Sequence, residues 1–166
     1  MADGDFSISV GTLLTGDPRV PVGPGWVRVR DGRILDAGAG RPGSPLDVDL
    51  PDAVVVPGFV DLHVHGGGGA SFPTGDPDEA LRTLALHRAH GTTTSLASLV
   101  SDTSAALDRA VAALSELVVD GELAGLHLEG PWLASARCGA HDPSTLRDPD
   151  PAEIARLLRR GTVAMV

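Results

Sequence analysis

Lysine is absent from this 166-residue chain, and all 13 basic side chains are arginine. Aromatic residues are scarce, at 3% with no tyrosine. That scarcity argues against a single-stranded nucleic-acid platform, which needs rings for bases to stack on. The formal net charge of −9 repels phosphate backbones and anionic membranes, so neither is expected as a partner. No apolar stretch approaches the roughly 18–20 residues of a membrane span, and no basic segment precedes an apolar run. Cys138 is the one cysteine, which excludes an internal disulfide framework and makes a reducing cytoplasm the expected compartment.

What the chain has is a hydrophobic fraction of 42%, enough for a core built from Val, Leu and Ala. Gly (21) and Pro (13) fit a fold with many turns rather than a bundle. Residues 1–56 read as short strands and turns. Phe6–Val10, Trp26–Arg30, Ile34–Ala37 and Val54–Val56 carry β-favouring residues. Asp31-Gly32 reads as a tight hairpin turn, and Asp17–Gly25 and Gly38–Pro45 read as loops.

From residue 57 the period changes. Phe59–His65 predicts a strand, followed by a helix that opens at Asp76-Pro77-Asp78-Glu79. There Asp76 is the expected N-cap, and Glu79 is expected to reach back as in a capping box. Gly91 stops this helix, and Thr92–Leu96 predicts the next strand. A second helix follows over Thr103–Val119, with Leu107, Ala110, Val111 and Leu114 on one face. Ala124–Glu129 predicts a third strand, Asp150-Pro151-Ala152-Glu153 repeats the helix-start pattern, and Val163–Val166 opens a fourth strand. This strand–helix alternation is that of a parallel sheet or barrel. An eight-fold barrel takes roughly 250 residues. The fold class expected is therefore α/β, with residues 57–166 the first half of a (β/α)8 barrel, apparently truncated. An open four-stranded α/β domain is the competing architecture.

Active sites of βα-barrels gather at the C-terminal strand ends. The first such end reads Asp61-Leu62-His63-Val64-His65, followed by four glycines. Alternation puts Asp61, His63 and His65 on one face, and apolar cover is expected over Leu62 and Val64. Two imidazoles about 6–7 Å apart on a rigid face suit a metal. The third end reads His127-Leu128-Glu129-Gly130-Pro131. A carboxylate at its tip, Glu129, completes a two-histidine, one-glutamate set suited to Zn²⁺ or a similar divalent ion.

Pro57-Gly58-Phe59-Val60-Asp61-Leu62-His63-Val64-His65-Gly66-Gly67 resembles the first barrel strand of the amidohydrolase superfamily. His127-Leu128-Glu129-Gly130-Pro131-Trp132-Leu133, with the trailing Gly139-Ala140-His141-Asp142-Pro143, resembles the N-acetylglucosamine-6-phosphate deacetylase family and is the more specific match. The resemblance runs through the whole chain in order. It implies a small β-sandwich segment over residues 1–56 ahead of the barrel, and hydrolysis of an N-acetyl amide on an amino-sugar phosphate. It also implies one or two metal ions, expected to be zinc, and a homo-oligomeric full-length protein. By the same resemblance Glu129 is a metal ligand, His63 and His65 support a further metal, and Ala140 and His141 contact the sugar. The later metal histidines, the phosphate contacts and the catalytic Asp fall beyond Val166, so no catalytic residue is assigned here and the chain is expected to be an N-terminal portion.

The alternatives are another amidohydrolase, of the dihydroorotase or hydantoinase kind, and an inactive metal-binding fragment. His127 has three open readings: orienting partner, substrate contact or satisfied core histidine. Asp61 is expected to orient a neighbour or accept a structural hydrogen bond. His87 and His90 lie on a helix of the expected outer layer and read as surface or packing residues. Gly66–Gly69 lacks the Gly-Lys-Ser/Thr of a P-loop and reads equally as a plain turn or an anion cradle. Cys138 reads as a loop thiol.

Overall fold

A computed structural model describes residues 6–20, 22–43 and 45–166. The chain divides into two compact units, Met1–Pro57 and Gly58–Val166.

In the first unit β1 (Phe6–Leu13), β2 (Gly23–Arg30), β3 (Arg33–Ala39) and β4 (Val48–Val55) form one sheet, ordered β3-β2-β1-β4. The β2–β3 hairpin turns at Asp31-Gly32 as its sequence predicts, both residues having positive φ. β2 and β4 begin earlier than their β-favouring residues indicate. β4 tolerates Pro51 because it is the outer strand of the sheet, where a missing backbone donor costs little. β1 and β4 run parallel with an irregularity between Val10 and Thr12. Gly11 sits at that point, and any Cβ there would strike the Pro51 carbonyl. Val10, Leu13 and Val27 make the small core.

The second unit is a parallel half-barrel sheet in an α/β fold. β5 (Phe59–Val64), β8 (Thr92–Leu99), β9 (Gly125–Leu128) and β10 (Val163–Met165) stand in the order β10-β9-β8-β5. Helices α1 (Pro77–Ala89), α2 (Ser104–Val119) and α3 (Pro151–Leu158) connect successive strands. β6 (Gly66–Gly67) and β7 (Ala70–Ser71) form a small hairpin after β5. The four-glycine run is thus a hairpin turn, held by the His87 ring donating from Nε2 to the Gly66 carbonyl at 3.1 Å.

Alternation sorts the residues of β8 and β9. Ala97, Leu99, Leu126 and Leu128 join the helix-side core with Leu84, Leu107, Leu114 and Leu157. Ser98 and His127, paired across the strands, point to the other face. Val64 packs against the core, but Val60 and Leu62 on the same face stay more than half exposed. The expected cover over Leu62 is not seen among the described residues; α1 packs chiefly on β6, β7 and β8.

Each of these three helices has a side-chain cap, at Asp76 and Asp150 where the sequence predicts a helix start. Asp76 accepts from the Asp78 and Glu79 N–H groups, Thr103 from Ala106, and Asp150 from Ala152. The capping box does not close. Glu79 instead accepts the Ser71 N–H at 2.9 Å, tying α1 to the hairpin. Glu153 is 4% exposed and receives a two-pronged bond from Arg147 at 2.9 and 2.6 Å. Arg147 also donates to the carbonyls of Asp102 and Thr145, and its N–H reaches the Pro131 carbonyl. This buried pair fastens the long loop after β9 to α3.

Arg147 holds Glu153 down from 4.5 to about 2. A carboxylate with a depressed folded pKa gives stability that is full above its ordinary pKa and is lost as pH falls through the folded value. Acid unfolding is expected to draw on Glu153 between pH 4.5 and about 2. Glu153→Gln is expected to cost about 3 kcal/mol at neutral pH and to flatten that part of the acid limb. Urea melts of both forms across this range check it; equal slopes would contradict it.

Candidate metal centre

β5 and β9 both pair in parallel with β8, so their C-terminal ends flank the end of β8. One ligand atom each from His63, His65 and Glu129 lie within 4.8 Å of one another. Glu129 Oε2 is 2.9 Å from His65 Nε2 and 3.9 Å from His63 Nε2. Two imidazole nitrogens and a carboxylate oxygen at these spacings fit a single Zn²⁺-like ion with room for a further ligand.

The ring orientations suit that use. His65 Nδ1 lies 3.1 Å from the Ser98 carbonyl. A carbonyl only accepts, so Nδ1 carries a proton, and Nε2 is the ring atom turned towards Glu129. The rings of His63 and His65 meet edge to face at 4.8 Å. Burial pushes the Glu129 carboxyl up. The His141 hydrogen bond and the charges of His63, His65 and His141 outweigh that and hold it below its usual range. Glu129 is thus anionic wherever a cation would be held.

His127 is buried beside this set, its ring 5.2 Å from that of His63. Its Nδ1 is 3.0 Å from the Ser98 hydroxyl, which also accepts the Val64 N–H at 3.1 Å. Burial, and then the neighbouring His63, lower its pKa, so it is neutral at physiological pH. Of its three readings, the satisfied core histidine matches this environment. Asp61 turns back to accept the His63 N–H at 3.1 Å and takes no place among the clustered ligand atoms.

A cleft of about 600 Å³ opens over the cluster, walled by Arg137, Cys138, Ala140 and His141. His63, His65, Glu129, Ala140 and His141 therefore share one cleft. Sequence reasoning did not find Ser98 and Ser101, which hold three of the rings around it. Serines are too common for either to stand out. The only available signal was their place at the end of β8, between the two strands that carry the motif.

No family model matches the chain. It is 31% identical over 140 residues to the N-acetylglucosamine-6-phosphate deacetylase of Bacillus subtilis, covering 76% of this chain and 34% of that protein. A crystallised N-acetyl-D-glucosamine-6-phosphate deacetylase variant from Mycobacterium smegmatis, in complex with N-acetyl-D-glucosamine 6-phosphate, superposes with a TM-score of 0.93 at 48% identity. That match covers 98% of this chain and 43% of the other. The chain belongs to the N-acetylglucosamine-6-phosphate deacetylase family. It spans less than half the length of the relatives it matches. An N-acetylgalactosamine-6-phosphate deacetylase from Shewanella is 37% identical over 102 residues, covering 59% of this chain and 26% of that protein. Deacetylases of both epimeric amino-sugar phosphates thus share this segment.

The backbone carbonyl of Ser98, not its side chain, orients His65. Ser98→Ala is therefore expected to leave zinc affinity within about threefold. It should cost about 1–2 kcal/mol of stability by stranding the buried His127 nitrogen and the Val64 N–H. Calorimetric zinc titration and a urea melt separate the two effects; a tenfold or larger loss of affinity would show that the hydroxyl matters to the cluster.

Proposed function

We propose that this chain provides one side of the active cleft of a metal-dependent deacetylase. The reaction is hydrolysis of the N-acetyl amide of N-acetylglucosamine 6-phosphate to glucosamine 6-phosphate and acetate. The observation that carries the reading is the convergence of two imidazoles and an anionic carboxylate at the ends of β5 and β9. Its substrate rests on the relatives, among them the Mycobacterium smegmatis enzyme complexed with that sugar phosphate. The galactosamine epimer is the second reading, supported by the Shewanella relative.

His63, His65 and Glu129 would hold the ion, with zinc the expected metal. Its chemistry there is that of a Lewis acid, polarising the amide carbonyl and making water a nucleophile near neutral pH. The chain's own residues prepare the site in three ways. Glu129 stays ionised, His65 is turned with Nε2 inward, and the wall at Ala140 and His141 confines the sugar. None of the nearby aspartates is placed as the general base. Asp61 accepts the His63 N–H, Asp102 the Thr103 N–H and Asp142 the Ser144 N–H. The base is assigned to none of them. We read residues 1–56 as part of a small sandwich domain and residues 57–166 as half of the barrel, in a homo-oligomeric cytoplasmic enzyme.

Zinc binding tests the reading with residues that are all present. His65→Ala and Glu129→Gln are each expected to weaken zinc by at least about 100-fold, more than an orienting partner is worth. Asp61→Asn should change affinity little. Calorimetry decides: an unaltered zinc isotherm in either ligand variant removes the metal centre and the hydrolase with it.

A further inference from the structure

His65 and His141 both face Glu129, yet the end of β8 holds them in opposite ways. His65 Nδ1 rests on a carbonyl, so its proton is on Nδ1. His141 Nδ1 lies 3.3 Å from the Ser101 backbone N–H and 2.8 Å from the Ser101 hydroxyl. A backbone N–H can only donate, so His141 Nδ1 must present a lone pair. The neutral ring then carries its proton on Nε2, which lies 3.5 Å from Glu129 Oε1 at the cleft. The side chain is 8% exposed, and its own N–H is bound to the Cys138 carbonyl, so the ring has little freedom to turn. Gly130, with φ +87°, completes the arrangement, because a Cβ there would strike the Ser101 hydroxyl.

We propose that Ser101 is the positioning residue that fixes His141 as an Nε2–H donor facing the cleft, serving the bound substrate and not the metal. The inference rests on the deacetylase reading for what fills the cleft, but the tautomer itself does not depend on it. His65 and His141 are then complementary by construction. One strand end offers a carbonyl to the ring that must give a lone pair, and an N–H to the ring that must give a proton.

The test is long-range ¹H–¹⁵N correlation of the histidine rings in the labelled chain at about pH 8, where ordinary imidazoles are neutral, before and after zinc is added. His141 is expected to show a protonated Nε2 and a bare Nδ1, unchanged by zinc, while the ring nitrogens of His63 and His65 shift. Ser101→Ala should lower the Nε2–H to Nδ1–H ratio about fivefold, the worth of one ordinary hydrogen bond. Ser101→Thr, which keeps a hydroxyl, should restore it. Gly130→Ala should resemble Ser101→Ala although the serine is still present. A wild-type His141 protonated on Nδ1, or averaged between tautomers, overturns the proposal. So does a Ser101→Ala spectrum identical to wild type, or a His141 ring that shifts with zinc as His63 does. If zinc moves none of the three rings while the His141 tautomer stands, the metal reading fails and the role of Ser101 survives.

Discussion

The cleft depends on one pairing constraint, the register of β8 against its two neighbours. Val64 stands opposite Ala97, and Leu99 opposite Leu128, so the ends of β5 and β9 finish on either side of Ser98–Ser101. His65 and Glu129 are far apart in sequence and meet only because of this. A slip of one residue in either ladder would send His127 or His63 to the helix side and bring leucines to the cleft. The leucine face guards against that slip, since Leu99, Leu126 and Leu128 are almost fully buried under the helices.

The opposite face is polar, and polar groups withdrawn from water need partners. The partners come from β8 and the turn just after it. The Ser98 carbonyl serves His65, its hydroxyl serves His127 and the Val64 N–H, and Ser101 serves His141. A strand without a single recognisable catalytic residue thus sets the direction of three rings. The electrostatics follow from the same crowding: His127 is driven neutral by burial, while Glu129 is kept anionic by the histidines around it.

Much of this was legible in the sequence where the signal is local. The helix starts at Asp76 and Asp150, the glycine stop at Gly91 and the buried stripe of α2 all rest on residues within a few positions of each other. The His63–His65 and Glu129 motifs were legible because strand alternation and strand-end position are enough to aim them. What escaped rests on distant partners. Glu79 and Glu153 both look like capping-box glutamates, yet each is taken by a better partner: the Ser71 N–H for one, the Arg147 guanidinium for the other. The exposure of Leu62 escaped because alternation tells which face a side chain takes, not whether anything lies against that face. β4 escaped in part because Asp49, Pro51 and Asp52 are poor strand formers, and only an outer position in the sheet accepts them.

The clamp between Arg147 and Glu153 stands behind the cleft and outside it. It secures the segment carrying Ala140 and His141 from behind, at α3, with atoms that take no part in the cleft. A change at Ala140 would therefore leave the anchorage at α3 untouched. Such a division separates what supports the wall from the surface the wall turns to the cleft.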